Sequence, residues 1–316
     1  MPSARPSLSR VGLTGVEIVV RLGVDGRAPQ PFAARLACFA EAGPAGGRTA
    51  RFEDVIADTV REVVLGDGGM RLERVAEQVA ERVRERLAAR RAEVAIDARF
   101  PERRPAPVSG VPTEEISTLH GRASASARGT RRLVGVSATG MTTSPYVQSV
   151  ILARARERLA ASGFSAERID RVVAAVPVAT HSQLSLGTLH LGCPEGSALD
   201  FDAADLLAVV EAAMASEIFE LMKRSDEAAV VERAHRRPRR VEDCVAGIVA
   251  GAVQRFPDAP GDVFVAAAQR DIETIHGHDV VAERAGLLGD LRHELATGRP
   301  VERRASLRAW LEGGER

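Results

Sequence analysis

The sequence predicts an α+β protein with antiparallel sheets. Two observations favour this class: two long helical stretches lie between pairs of strand-like stretches, and that order occurs twice along the chain. Hydrophobic residues make up 45% of the 316 residues, which is enough for a sizeable core. Aromatic residues make up only 3%, so Ala, Val, Leu and Ile must fill that core.

The first half has the predicted order β-β-α-α-β-β. β-branched or alternating residues predict strands at 11–24, 31–42, 93–100 and 116–127. Apolar residues at helical spacing predict helices at 51–66 and 70–92. We therefore expect a first module over residues 9–130.

The second half repeats that order with an insertion. Strand-like runs occupy 131–143, 171–180, 183–192 and 261–270. Helical spacing predicts an inserted helix at 145–162, a helix at 201–224, and a helix at 226–256 that Pro238 kinks or breaks. We expect a second module over 131–298 and a tail over 299–316 that contains a short helix.

Composition argues against several function classes. Lys+Arg and Asp+Glu are equal at 43 each, so no net field attracts nucleic acid or an anionic membrane. The arginine cluster at 233–240 could still bind a phosphate group. The N-terminus has no signal-peptide pattern, and no apolar run reaches the length of a membrane span. Three distant cysteines suit a reducing compartment, and we expect a cytoplasmic protein.

The stretch DIETIHGHDVVAER, 271–284, carries Glu273, His276 and His278 just after a strand-like run. In extended backbone His276 and His278 point to the same face, whereas in a helix Glu273 and His276 are near neighbours. Either geometry gathers carboxylate and imidazole groups, as a metal or proton-transfer site requires. The alternative is a polar turn at the end of an element.

Two further residues stand out against apolar surroundings. His181, in PVATHSQL, lies between two strand-like runs; the alternative is a core or turn histidine. Glu211 lies on an apolar helical stripe, where a carboxylate is costly to bury unless it is paired or metal-bound.

The stretch LMKRSDEAAVVE, 221–232, begins with charged residues at a helix junction. Ser225 or Asp226 is expected to cap the following helix. Alternatively, Glu227 accepts from a purine N–H pair, with Lys223 and Arg224 available for phosphate.

Four segments together resemble the type IB GTP cyclohydrolases, and the archaeal-type member is the closer likeness. They are GMTTSPYVQ (140–148), PVATHSQ (177–183), the run 209–245, and ETIHGHDVVAER (273–284). The resemblance implies a tunnelling fold (T-fold) of two β-β-α-α-β-β modules. It also implies a homo-oligomer, a dimer or tetramer, with active sites at subunit interfaces.

The resemblance implies a hydrolase that opens the imidazole ring of GTP or a related purine nucleotide and releases formate. A divalent metal, Fe²⁺, Mn²⁺ or Zn²⁺, activates water in that family. Carried onto this chain, the implied metal ligands are His181, Glu211 and His276, with Ser144 at the family's cysteine position. The implied catalytic residues are Glu273, His276 and His278. The implied substrate-binding residues are Glu227, Lys223, Arg224, Gln183 and Arg51.

The chain departs from the family pattern at this site. Ser144 and Tyr146 stand where the family has cysteines, and Leu184 stands where it has an arginine. A neutral hydroxyl is a poorer metal ligand than a thiolate. Cys193 is a distant candidate to replace the thiolate. Two hypotheses follow: a divergent metal-dependent cyclohydrolase, or a catalytically altered or inactive member that binds a purine- or pterin-like ligand.

Overall fold

One antiparallel sheet runs through the part of the protein that the structure describes. A computed structural model describes residues 9–23, 28–41, 52–66, 69–301 and 306–313. Over these residues the strands follow the order β1-β2-β3-β4-β5-β6-β8-β9, and β7 pairs with β5. The strands are β1 (Val11–Leu22), β2 (Gln30–Glu41), β3 (Arg91–Pro105), β4 (Pro112–Ser126), β5 (Gly129–Thr143), β6 (Ser182–Cys193), β7 (Ser216–Glu217), β8 (Phe264–Ile272) and β9 (Asp279–Leu287).

The helices lie between these strands in chain order. They are α1 (Phe52–Gly66), α2 (Leu72–Arg86), α3 (Pro145–Ala161), α4 (Ala166–Ala175), α5 (Ala203–Ala213), α6 (Arg224–Arg236), α7 (Val241–Arg255), α8 (Leu288–Thr297) and α9 (Leu307–Leu311). No helix in the described part of the chain is long and apolar enough to cross a membrane.

Buried and exposed residues alternate along the strands, and the buried ones form the core on the sheet face that the helices cover. In β6, Ser185 and Leu189 are buried, whereas Leu184 and Leu186, on either side of Ser185, are exposed. Helix α2 packs on β3, β4 and β5, and α7 packs on β8 and β9. A Cβ at Gly121 would lie 2.6 Å from the backbone oxygen of Leu72, so only glycine permits the close approach of α2 to β4.

The two halves of the chain share the sheet through β4 and β5. These strands pair as a hairpin from Ser126 opposite Gly129 to Thr118 opposite Ser137. Beyond that point β7 pairs with β5 instead, with Glu217 opposite Gly140. The hairpin therefore makes the sheet continuous across the expected module boundary.

The single helix predicted over 201–224 is wrong. Helix α5 ends at Ala213, and the chain then turns extended, because the backbone N–H of Ala215 donates to the carbonyl of Met141 in β5 at 3.0 Å. Pairing with the sheet replaces helical hydrogen bonds although the apolar spacing continues. The predicted break at Pro238 is confirmed, since α6 and α7 are separated by residues 237–240.

The strand-like reading of 171–180 is also wrong. Its first five residues belong to α4, whose N-terminus is capped by the Ser165 hydroxyl bonding the backbone N–H of Arg168. A short apolar run fits both a strand and an amphipathic helix, so the cap decides between them. Strand β9 and helix α8 were not predicted individually.

Candidate active site

The ends of β5, β6 and β8 meet at one edge of the sheet. Thr143 lies opposite Ser182, and Leu184 lies opposite Ile272. Because these strands pair in this register, the residues just beyond their ends lie next to one another. There the backbone N–H of Ser144 donates to the carbonyl of His181 at 3.4 Å.

Gln183 joins two of the predicted site residues. Its side-chain Nε2 donates to Nδ1 of His181 at 3.1 Å and to the carboxylate of Glu273 at 3.2 Å. Nδ1 of His181 lies 3.6 Å from Oε2 of Glu273. All three side chains are largely buried: 6% of Gln183 is exposed, and the exposed side-chain fractions of His181 and Glu273 are 15% and 8%. The structure thus unites an imidazole and a carboxylate from distant segments.

Ser144 serves as the N-cap of α3. Its hydroxyl accepts from the backbone N–H of Val147 at 3.3 Å, and Pro145 follows at the first helical position. Ser144 is thus next to His181 through the backbone, while its hydroxyl is used by the helix. Tyr146, the other departure from the family pattern, is exposed.

Cys193 does not replace the missing thiolate. It is the last residue of β6, eleven residues after Ser182, which begins that strand. In the sheet it pairs with Arg132 of β5. A strand of that length separates the two ends by roughly 35 Å. Burial also raises the pKa of Cys193 to about 11, so its sulfur stays protonated.

Glu211 contacts an arginine. Its Oε1 lies 2.7 Å from Nη1 of Arg104, which also pairs with Glu102. Burial raises the pKa of Glu211, and Arg104 opposes that shift. The apolar-stripe argument correctly required a partner for this carboxylate. In one chain the described partner is a cation rather than His181.

His276 and His278 lie on the exposed loop between β8 and β9. Their rings stack with centroids 5.1 Å apart, and both residues lie in a run of bends, neither extended nor helical. The hydroxyl of Thr274 donates to the carbonyl of Ser182 at 2.9 Å and ties the loop to β6. The two imidazoles are therefore near the strand ends but remain open to solvent.

Asp226 and Glu227 have separate environments. Asp226 is fully buried and accepts from the backbone N–H groups of Ser109 (2.8 Å), Val108 (2.9 Å) and Lys223 (2.9 Å). The hydrogen bond from Ser109 is the main cause that holds the pKa of Asp226 well below its usual range. The N-cap of α6 is Lys223 instead of the expected Ser225 or Asp226, and Asp226 contributes to the cap from the third helical position by accepting from the Lys223 backbone. Glu227 is exposed.

Of the remaining substrate-binding candidates, two lie on the surface and one lies outside the described residues. Lys223 and Arg224 are exposed at the start of α6. Arg51 lies outside the described residues.

The described residues of one chain do not complete a metal centre. No group of three or more His, Cys, Asp or Glu side chains is arranged to hold an ion in the parts that the structure describes. Catalytic zinc usually has about three protein ligands.

A buried polar network behind Gln183 was missed at the sequence level. Its members, from three strands, are Thr142, Ser185, Gln269 and Asp271. Polar residues at every second position, Gln183 with Ser185 and Gln269 with Asp271, were the available signal. That pattern predicts a shared face but not which strands are neighbours.

Comparisons with known proteins agree with the sequence resemblance. The family model described as type I GTP cyclohydrolase folE2 matches residues 1–282. The GTP cyclohydrolase MptA of Methanosarcina mazei is 31% identical over 309 residues, covering 93% of this chain and 95% of that protein. The MptA of Methanocaldococcus jannaschii is 31% identical over 301 residues, covering 93% and 95%.

Solved structures share the fold at low identity. The uricase from Arthrobacter globiformis has a TM-score of 0.56 and 10% identity, covering 97% of this chain and 99% of that chain. A uricase from Bacillus fastidious has a TM-score of 0.52 and 10% identity, covering 95% and 100%. This likeness concerns the fold alone. The family model and the relatives together establish that the chain belongs to the type I GTP cyclohydrolase folE2 family.

Proposed function

We propose that this protein is a GTP cyclohydrolase that opens the imidazole ring of GTP or a related purine nucleotide and releases formate. The proposal assigns it to the archaeal-like type IB branch, as a divergent paralog. It is supported by family membership and by relatives named GTP cyclohydrolase over most of their length.

The observation that carries the proposal is the His181–Gln183–Glu273 arrangement. Opening the ring requires water to add at C8, so a proton must leave the water and another must reach a ring nitrogen. A carboxylate and an imidazole 3.6 Å apart can perform these two transfers. We assign Glu273 as the base, and His181 with the loop imidazoles of His276 and His278 as proton donors.

The start of α6 supplies the proposed substrate contacts. Because Asp226 is committed to backbone N–H groups, Glu227 is the carboxylate that can accept from the N1–H and amino group of guanine. Lys223 and Arg224, exposed beside it, provide charge for the phosphates.

A divalent metal, Fe²⁺, Mn²⁺ or Zn²⁺, remains a proposed cofactor. Such an ion lowers the pKa of a bound water and makes it nucleophilic at neutral pH. His181 is its proposed first ligand, and proton donation falls to His278 when His181 and His276 bind the ion. Ser144, Glu211 and His276 are the other proposed donors, and they require a rearrangement from the one-chain arrangement described above.

Assembly belongs to the same proposal. We propose that the two halves, 9–130 and 131–298, are tandem modules of a tunnelling fold. Two or four copies assemble in the cytoplasm, with the sites at their interfaces. Sedimentation equilibrium of the purified protein tests this, since a monomer at all concentrations contradicts it.

Formate release by matched variants tests the proposed chemistry. Metal-stripped protein is supplied with iron, manganese or zinc and then GTP. Glu273→Gln is expected to abolish formate release, while Glu283→Gln, at an exposed position in β9, keeps it. Equal activity of the two variants contradicts the role of Glu273.

Two observations favour a second function. The Ser144 hydroxyl caps α3, and no three-donor cluster is present among the described residues. A family member that binds a purine or pterin without turnover fits that donor set. Metal analysis of protein purified without chelators, together with nucleotide binding by calorimetry, separates the two functions: this one predicts binding with negligible metal and no formate.

A further inference from the structure

A second group of polar side chains lies on the sheet face opposite α2 and α5. Asp97 of β3 pairs with His120 of β4, and Ser137 of β5 pairs with Thr188 of β6. Their neighbours along each strand, for example Ile96, are buried in the core under the helices. Because side chains alternate along a strand, these four polar groups share the other face.

Three of these side chains form a Ser–His–Asp arrangement. Nδ1 of His120 lies 2.6 Å from Oδ1 of Asp97, and Nε2 of His120 lies 2.8 Å from Oγ of Ser137. Oγ of Ser137 also lies 2.7 Å from Oγ1 of Thr188. A nucleophile within hydrogen-bond distance of a base that a third group orients is the arrangement used in covalent catalysis.

The protons in this chain of contacts can be assigned one by one. Burial disfavours the charge of Asp97, but hydrogen bonds from His120 and Arg122 outweigh it and lower the pKa of Asp97 to about 2. The ionised carboxylate only accepts, so a neutral His120 ring carries its proton on Nδ1 and presents a lone pair on Nε2. Ser137 therefore donates its hydroxyl proton to His120, and Thr188 donates to Ser137. Each proton is used once, and the serine hydroxyl faces a base.

Arg122 fixes the carboxylate that orients the imidazole. Its Nη2 donates to Oδ1 of Asp97 at 2.6 Å, and its Nη1 donates to the carbonyl of Ile96 at 2.9 Å. A carboxylate held in this way keeps the His120 ring in one tautomer and stabilises the imidazolium that forms when the ring takes a proton.

His190 places a further donor on the same face, two residues from Thr188. Its ring centroid lies 5.2 Å from that of His120, and an added Cβ on Gly135 would come within 2.3 Å of Cδ2 of His190. Glycine at 135 thus leaves room for the ring. Burial lowers the pKa of His190 to about 3, so at pH 7 the ring is neutral and keeps one N–H. That N–H and the Thr188 hydroxyl are the side-chain donors for an oxygen that becomes negative during acyl transfer.

We propose that Ser137, His120 and Asp97 form a second reaction site, which hydrolyses short-chain acyl esters. Ser137 is 8% exposed and the His120 side chain is 13% exposed, so the opening admits only a small acyl group such as acetyl. Thr188 lies six residues along β6 from Ser182, which places this site about 20 Å from the candidate cyclohydrolase site. The second site requires neither a nucleotide nor a metal ion.

The reaction balances with water as the only co-reactant. Oγ of Ser137 bonds to the acyl carbon while its proton passes to Nε2 of His120. The bond from the acyl carbon to the alcohol oxygen then breaks, and the alcohol leaves with that proton. Water attacks the acyl-serine, with His120 again taking and returning a proton, so the carboxylic acid leaves and the serine is restored.

Two assays on the purified full-length protein test this site. The first follows release of p-nitrophenol from the acetate and the octanoate ester, with and without a metal chelator. The second treats the protein with methanesulfonyl fluoride and locates the adduct by tandem mass spectrometry in the tryptic peptide 133–154.

Three variants accompany both assays. Ser137→Ala removes the nucleophile, and His120→Gln removes the base. Ser149→Ala is the matched control, because it removes an exposed hydroxyl from the same tryptic peptide.

We expect the wild type and Ser149→Ala to hydrolyse the acetate ester faster than the octanoate ester and to carry the adduct on Ser137. Ser137→Ala and His120→Gln are expected to lower the acetate rate by at least about tenfold. The chelator is expected to leave the wild-type rate unchanged.

The proposal is overturned if the wild-type protein carries no adduct on Ser137, or if Ser137→Ala hydrolyses the acetate ester as fast as the wild type. Loss of the rate with chelator also overturns it, since a bound metal would then be responsible. The adduct is mapped on the wild-type protein, so this result stands even where a variant does not fold. Neither assay involves GTP, so the outcome is independent of the proposed cyclohydrolase function.

Discussion

The carboxylate of Glu211 lies 2.7 Å from the guanidinium of Arg104 and thereby joins α5 to the end of β3. Both side chains are more than four-fifths buried, with 17% and 16% exposed. Paired charges in such a place stabilise the fold mainly because either one alone would be costly.

Arg104→Met is expected to lower the free energy of unfolding by about 1–3 kcal/mol at pH 8, because it leaves the Glu211 carboxylate without its cation. Burial already raises the pKa of Glu211, and removing Arg104 raises it further. The loss is therefore expected to be smaller at pH 5 than at pH 8, because a raised pKa increases the protonated fraction of this carboxyl as the pH falls. Urea unfolding at both pH values measures this. Arg103→Met, at an exposed neighbouring position, is the control, and an equal loss in the control contradicts the prediction.

Glu73 in α2 predicts a pH-dependent stability. Burial raises its pKa from 4.5 to about 7, despite the nearby cations Arg71 and Arg132, and the carboxylate of Asp200 adds to the rise. Its Oε1 has no hydrogen-bond partner among the described residues. The folded state therefore favours the protonated acid. The corresponding stability is complete below pH 4.5 and is lost as pH rises through 7.

Glu73→Gln mimics the protonated acid at every pH. At pH 8 this variant is expected to be more stable than the wild type by up to roughly 3 kcal/mol, and at pH 4 the two should be equal. Chemical denaturation across that range measures the difference. Glu85→Gln, on the exposed side of α2, should show no such trend. A constant difference between Glu73→Gln and wild type would contradict the burial of a titrating carboxyl.

The contribution of Asp226 to stability is expected to depend on pH in the opposite direction to that of Glu73. Backbone N–H groups of Ser109 and Val108 hold its pKa below the ordinary 3.8, so its contribution is present above pH 3.8 and is lost as pH falls below that value. Asp226→Asn should melt at a lower temperature than wild type at pH 7, with a smaller gap at pH 3. Glu227→Gln is the exposed control and should melt as wild type. A gap that is equal at both pH values rules out the ionised carboxylate as the cause.

Replacing either loop histidine is expected to lower activity without lowering stability. Because His276 and His278 are exposed, His276→Ala and His278→Ala should change the free energy of unfolding by less than about 0.5 kcal/mol. Formate release should fall in both variants and stay at the wild-type rate in His293→Ala, at an exposed position in α8. Full activity in both loop variants would remove these imidazoles from the proposed chemistry.

Local pattern predicted most of the elements. The strand expected at 131–143 is β5, and the helix expected at 145–162 is α3. The errors occur where a tertiary hydrogen bond or a cap competes with apolar spacing. Ala215 pairs with β5 instead of continuing α5, and Ser165 starts a helix where a strand-like run was read.

Individual residues of the candidate site could be predicted from the sequence, but the contacts between them could not. The sequence picks out His181 and Glu273 by their chemistry, and the resemblance connects them. Gln183 joins them because the β6–β8 register places Leu184 opposite Ile272, and local periodicity does not encode a register between strands so distant in sequence. The partner of Glu211 was missed for the same reason, since Arg104 ends a strand in the other half of the chain.

The most direct test of the proposed reaction uses GTP that carries carbon-13 at C8, incubated with this protein and each of the three candidate metals. If the His181–Glu273 site opens the imidazole ring, carbon-13 NMR will show labelled formate accumulating as the C8 signal of GTP disappears. An unchanged C8 signal with every metal, for GTP and for other purine nucleotides labelled in the same way, would contradict the account.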